Sequence, residues 1–364
     1  MRKKARGAAR IAAVMGLSAV LALGGTPILA VAAEPDDLGS SAAVGVQSGE
    51  EEGSDGSGAV VGEAETAGGN GAQADGSEPA GGVASASAAD KAATASDGEL
   101  AGKGTAEDPY QVGTVADLQK VAELVNGGDA AYAKAHYKLT DNIDLAGVES
   151  WTPIGTEGGQ FTGTFTGTGF TISNLKINDA DLEFAGLFGC VSAPGKLVGI
   201  TVDNANVAGK AQVGVIAGSV FAGAAEGCHV TGAVNVTGNY KVGGMFGDGY
   251  ANLSECTVNA TGSVTGNYLA RDLEGDCVGG LIGFRGEGDT ITTDCSVSGI
   301  KVSGSRKVGG LIGSAYADNQ TTGCSVSGVS LVCNAPYDYA EGSAKNQLCV
   351  GGLIGIFHKS GSMK

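Results

Sequence analysis

The sequence predicts an all-β fold: a right-handed parallel β-helix (solenoid) with one short N-terminal capping α-helix. Two observations carry that prediction. A glycine-rich hexad recurs six times, and the residues between copies form very short alternating apolar and polar runs with no room for a crossover helix. A third observation, an acidic tail without aromatic residues, marks where the ordered part begins.

The hexads are Phe184-Ala-Gly-Leu-Phe-Gly189, Val213-Gly-Val-Ile-Ala-Gly218, Val242-Gly-Gly-Met-Phe-Gly247, Val278-Gly-Gly-Leu-Ile-Gly283, Val308-Gly-Gly-Leu-Ile-Gly313 and Val350-Gly-Gly-Leu-Ile-Gly355. Their starts lie 29, 29, 36, 30 and 42 residues apart, so the third and fifth units carry extra residues, read as loops at 269–276 and 334–348. Each unit also holds a small β-prone run: Ile200-Thr-Val202, Cys228-His-Val230, Cys256-Thr-Val258, Cys295-Ser-Val297 and Cys324-Ser-Val326. A third run follows, as in Val234-Asn-Val236. Three short strands per unit, bounded by Gly, Asn, Asp and Ser, suit one coil of a β-helix.

Stacked coils place equivalent positions about 4.8 Å apart, so like packs on like. The expected interior columns are Leu187, Ile216, Met245, Leu281, Leu311 and Leu353, beside Phe188, Ala217, Phe246, Ile282, Ile312 and Ile354. The repeated glycine fits either a left-handed backbone or a close approach of the next coil. Ahead of the repeats, Thr114-Val-Ala-Asp117 resembles a capping box, and Leu118, Val121, Ala122 and Val125 share one helical face before Gly127-Gly128. A helix over 115–126 is expected to cap the open edge of the first coil.

Residues 1–33 read as a secretory signal peptide: five basic residues from Arg2 to Arg10, an apolar run from Ile11 to Leu23, and small residues ending in Ala33. The run is too short to span a bilayer comfortably, so no membrane span is expected after cleavage. Residues 34–101 read as a disordered, acidic Gly/Ala/Ser-rich linker, because such a composition cannot bury enough apolar surface to offset chain entropy. Fourteen acids stand against one base (Lys91) between 34 and 100. This balance argues against nucleic acid as a partner, since phosphate binding needs clustered Lys and Arg. Residues 102–364 form the β-helix, and secretion or cell-surface display is the expected location.

The hexad Val-Gly-Gly-Leu-Ile-Gly resembles the GLUG repeat of bacterial secreted and surface proteins, some of them immunoglobulin A-cleaving metallopeptidases. The leading block fits too: Gly104-Thr105, Asp108-Pro109-Tyr110, Tyr137 to Leu145, Trp151-Thr-Pro-Ile-Gly155 and Phe161 to Ile177 are similar to the segment that precedes such repeats. The resemblance covers about residues 102 to 358. It implies a scaffold rather than an activity.

Zinc peptidase chemistry needs two His one helical turn apart with a Glu base, and His136, His229 and His358 form no such motif. Glycan-cleaving β-helices gather carboxylates on one face; here Glu226 is expected over Glu255, as solvated surface or as a weak catalytic pair. Asp272, Glu274 and Asp276 alternate in the first loop and are weak candidate calcium ligands. Tyr240 and Tyr268 both follow Thr-Gly-Asn and are expected to stack, while Tyr337 and Tyr339 lie in the second loop; exposed, these four would form a platform for sugar or protein partners.

Cys228, Cys256, Cys295 and Cys324 share one register and are expected as an inward ladder of thiols, because parallel side chains hold the Cβ atoms too far apart for a disulfide. Cys333 and Cys349 bracket the longer loop and are the best disulfide candidates. No cofactor is implied. The chain stops about nine residues after the last hexad, which reads as the front of a longer protein or an edge covered by another chain. The leading functional expectation is a non-catalytic scaffold or adhesion-type module for host or cell-surface glycans or proteins. The alternatives are a β-helical polysaccharide lyase or glycoside hydrolase, and the non-catalytic front part of a larger surface peptidase.

Overall fold

The computed structural model describes residues 20–23, 26–29, 99–267, 277–316, 318–334 and 349–358. The linker expected over 34–101 lies almost wholly outside the described residues, as do Tyr268, Asp272, Glu274, Asp276, Tyr337 and Tyr339. Within 1–33 only Val20–Leu23 and Thr26–Leu29 are described, as an antiparallel pair.

From residue 99 onward the chain winds into a parallel β-solenoid of about seven turns. One coil illustrates the rest. Ala224–Glu226 enters a first sheet, His229–Gly238 a second, Tyr240–Gly243 a third and Phe246–Gly249 a fourth, and each pairs in parallel with its equivalent in the next coil. Four strands per coil replace the expected three. The hexad is the reason: Val242 and Gly243 end one strand and Phe246 and Gly247 begin another, too short a stretch for alternation to show the bend.

The hexads stack as the repeat requires. Phe188, Ala217, Phe246, Ile282, Ile312 and Ile354 stand in one register through successive coils. Met245 donates its backbone N–H to Leu281, Leu281 to Leu311 and Leu311 to Leu353, so the neighbouring column is continuous as well. The first unit differs by one residue: Ala185, not Phe184, pairs with Val213, and Phe184 takes a left-handed conformation.

Of the two explanations for the hexad glycines, close approach is the one realised. None has a positive φ. Instead, the last glycine of each hexad after the first lies against backbone of the preceding coil's third-sheet strand. A Cβ on Gly283 would come within 2.5 Å of Val242 N, and one on Gly313 within 2.6 Å of Val278 N. One series of left-handed residues falls between the first and second sheets, at Gly199, Gly227, Glu255, Asp294 and Gly323, directly before Ile200 and the four ladder cysteines; Gln212 and Lys241, each directly before its hexad, are left-handed as well.

At the N-terminal end, α1 (Val115–Asn126) has the expected capping box, with the Thr114 side chain accepting from Asp117 N and the Asp117 carboxylate accepting from Thr114 N. Its buried residues are Leu118, Val121, Ala122 and Val125. Asn126 fastens its C-terminal end to the first coil, donating to Pro153 O at 2.9 Å and accepting from Gly155 N at 2.7 Å. A second, four-residue helix, α2 (Ala130–Ala133), was not expected; four residues are too few to show a helical period, but Asp129 caps it. Tyr110–Val112 then pairs with His136–Leu139 and covers the edge of the first sheet. Tyr110, Tyr132, Tyr137, Phe161, Phe165 and Phe188 form a run of ring contacts beneath.

Candidate functional site

The outer side of the second sheet is a ladder of hydroxyl, amide and carboxylate side chains. One register reads Thr171, Thr201, His229, Thr257, Ser296 and Ser325; two residues on, a second reads Ser173, Asp203, Thr231, Asn259, Ser298 and Ser327. Both follow from strict alternation with buried Ile172, Val202, Val230, Val258 and Val297. The ladder groups bond along the axis: Thr231 Oγ1 donates to Asp203 Oδ1 at 2.7 Å, Ser298 Oγ to Asn259 Oδ1 at 2.9 Å, and His229 Nδ1 lies 2.8 Å from Thr257 Oγ1.

Where this face meets the first sheet, a surface groove of 270 Å³ is lined by Thr168, Gly169, Val198, Gly199, Thr201, Glu226, Gly227, His229 and Glu255. It contains both carboxylates singled out in the sequence, but not in the expected stack. Glu226 is in register with Ser254, and Glu255 follows as the left-handed corner residue. The expected alignment slipped by one because the turn between the fourth and first sheets is a residue shorter in the later coil: Val220 pairs with Gly249 but Ala224 with Asn252. His229 enters the same groove by stacking, which linear spacing could not show. The other two histidines lie elsewhere, His136 on the first sheet and His358 on the fourth. Among the described residues, no three His, Cys, Asp or Glu side chains gather to hold a metal ion.

The opposite edge of the second sheet is the corner that leads to the third. Tyr240 begins a third-sheet strand there, half-buried. Both loop segments leave from this corner: the strand Thr257–Gly266 precedes the first and Cys277–Gly279 follows it, while Ser330–Cys333 and Cys349–Gly351 flank the second. Cys333 and Cys349 therefore sit at the base of the second loop, as thiols, with Cys333 Sγ 3.3 Å from Ser305 O.

Inside the stack lie three features of which the sequence reading found one. Cys228, Cys256 and Cys295 are fully buried and Cys324 is partly so; all are thiols. Each donates to the carbonyl two residues earlier, across the left-handed corner: Cys256 to Ser254 O at 3.3 Å and Cys295 to Thr293 O at 3.2 Å. The thiol thus adds a second hydrogen bond to a carbonyl that already accepts a backbone N–H from a neighbouring coil, as Ser254 O does from Gly227 and Thr293 O from Glu255. Hydrogen bonding between neighbouring thiols and burial push Cys295 up to about 12.

The second feature is Arg285, which has no accessible surface. It occupies a column that otherwise reads Val191, Val220, Gly249, Ala315 and Phe357, with the two small residues on either side making room for it. Its Nη1 donates to Ala251 O at 2.9 Å and its Nη2 to Thr290 Oγ1, while Nε has no partner. Desolvation pushes the guanidinium down to about 10, so it remains charged at neutral pH. Extending the hexad alignment by two residues would have exposed it. The third is an ion pair, Lys241 Nζ to Asp248 Oδ2 at 2.6 Å, with the ammonium 4.6 Å from the Phe284 ring centroid. Burial raises the Asp248 carboxyl and Lys241 opposes that rise.

Fold and surface together define a parallel β-solenoid with one long polar face and a carboxylate-and-imidazole groove along one of its edges. Over 160 residues, 41% of this chain, it is 36% identical to Halomucin of Haloquadratum walsbyi, of which it covers 2%. Over 128 residues, 33% of the chain, it is 33% identical to a "Putative Gly-rich membrane protein" of Evansella cellulosilytica, of which it covers 14%. The chain thus spans only a small part of the curated relatives it matches. Among solved structures it is similar to one described as a putative immunoglobulin A1 protease from Bacteroides ovatus, at 18% identity and a TM-score of 0.49, over 71% of this chain and 86% of that one. No family model matches the chain, so the likeness to the GLUG repeat rests on its residues alone.

Proposed function

We propose that this chain is an exported, cell-surface or secreted β-helical module that binds glycans or proteins along its second sheet, without turning them over. The observation that carries this reading is the ladder of hydroxyl, amide and carboxylate groups running through six coils, repeated about every 4.8 Å on a rigid support. A repeating array of donors and acceptors favours extended polar ligands, and both loop segments are anchored along one edge of the same sheet. The names of the relatives, one of them a membrane protein, agree with display at a surface. Among the described residues no helix is long and apolar enough to cross a membrane.

The test is binding of soluble polysaccharides and host surface proteins to the chain and to a form lacking residues 334–348. At least a tenfold loss on deletion is expected; equal binding removes the loop from the contact region, and absence of binding by either form defeats the reading.

The groove supports a second reading, glycan cleavage, because it brings Glu226, Glu255 and His229 together. That reading requires turnover of an acidic or neutral polysaccharide, lost on Glu255→Gln.

A further inference from the structure

One coil differs from its neighbours at the corner that joins the third and fourth sheets. Lys241 and Asp248 face each other across that corner, with Nζ 2.6 Å from Oδ2. The equivalent positions hold Gln212 and Ser219 one coil earlier and Cys277 and Phe284 one coil later. Among the described coils, this is the one that sets an amine opposite a carboxylate. The backbone fixes the lysine in place: its φ of 50° matches the left-handed conformations of Phe184 and Gln212 at the same position in the two preceding coils.

The surroundings keep water from the carboxylate. Asp248 is 1% exposed, the Phe284 ring lies 4.6 Å from the ammonium, and Ser219, fully buried, fills the rung beside Asp248. Among the described residues, Asp248 Oδ1 and the Ser219 hydroxyl have no hydrogen-bond partner. One carboxylate oxygen is thus unsatisfied, and desolvation offsets much of the attraction between the two charges. Burial favours the uncharged carboxyl, against the pull of Lys241. A nitrogen 2.6 Å from a carboxylate oxygen stands roughly 3.0–3.5 Å from the carboxylate carbon, which is a near-attack separation. Groups oriented in this way react with effective molarities of about 10⁵–10⁸ M.

We propose that Lys241 and Asp248 are a self-modification site: in the folded chain they condense to an amide that staples the third sheet to the fourth. The ammonium passes a proton to Oδ2, the freed amine attacks Cγ, the N–C bond forms and the C–Oδ2 bond breaks. Oδ2 leaves as water, carrying two protons that began on the nitrogen. One ammonium and one carboxylate thus become one amide and one water, without a change of oxidation state. Both charges are removed from the interior, and Oδ1 becomes a neutral carbonyl oxygen. The lysine is the partly exposed member of the pair, so the water has a way out. The covalent ring then encloses the hexad Val242-Gly-Gly-Met-Phe-Gly247, and this corner cannot open while the bond stands.

The experiment is mass spectrometry of the whole purified chain, first intact and then after denaturation and digestion with trypsin. The intact chain is expected to be lighter than its sequence by one water. Trypsin does not cut at an acylated lysine, so residues 211–271 should appear as a single peptide, also one water lighter, and fragmentation should place the link between Lys241 and Asp248. Lys241→Arg keeps a cation beside the carboxylate and forms no amide; it should have its full mass and be cut after position 241. Asp248→Ala should likewise keep its full mass and be cut after Lys241. A wild-type chain that stays at full mass after long incubation and releases 211–241 and 242–271 as separate peptides overturns the proposal. So does a loss of water that persists in Lys241→Arg, since its source would then lie elsewhere. Neither outcome bears on what the second sheet binds.

Discussion

The first coils of the solenoid and its last described coil are built differently. At the N-terminal end a helix, an extra strand and a run of six aromatic rings close the interior, and Leu118, Val121, Val125, Leu139 and Phe165 are all fully buried. On the last described coil the same interior columns are open: Val350 and Phe357 are 50% and 43% exposed, and Leu353 and Ile354 are only partly buried. The difference shows what a stacked repeat can supply. A coil inside the array is covered by its neighbours on both sides, while a terminal coil needs a different element to cover it. The N-terminal segment provides one out of non-repeating sequence.

Three comparisons test that contrast, beginning with the largest expected effect. Leu118→Ala empties a closed interior and should cost about 2–5 kcal/mol, whereas Leu353→Ala on the open coil should cost less than about 1 kcal/mol. Paired urea titrations measure both; similar losses would mean the two regions are equally packed. Next, Gly283→Ala drives a methyl group into the backbone of the preceding coil and should cost about 3 kcal/mol. Gly355→Ala on the last described coil should cost less, because that coil can fray without disturbing the others. Equal costs for the two would show that the stack melts as one unit. The smallest effect concerns the left-handed corner. Glu255 holds a φ of 54° where the equivalent residue one coil earlier is Gly227, so Glu255→Gly should be neutral to stabilising by about 0.5–1 kcal/mol, read as a small rise in Tm. A clear loss of stability would show instead that the Glu255 carboxylate holds the groove together.

Much of the architecture was legible because a solenoid repeats its local rules. The six hexads gave the coil period, the interior columns and the cysteine ladder, and the capping box with its four apolar residues gave α1 residue by residue. What failed to show lies where the repeat is broken or shared between coils. Glu226 and Glu255 were aligned by counting, and the corner displaced the count by one. His229 reached the groove, and Arg285 its place between Gly249 and Ala315, only through lateral stacking.

By itself the sequence determined that the chain coils, about how many residues each coil takes, and which residues face inward, because periodicity and side-chain volume are local properties written in order along the chain. Only the tertiary structure decided that the hexad glycines serve close contact between sheets rather than left-handed turns, and that a charged guanidinium is enclosed between two small residues of the adjoining coils. Both depend on distances between residues roughly one coil apart or more, and those distances exist only after the coils have closed on one another.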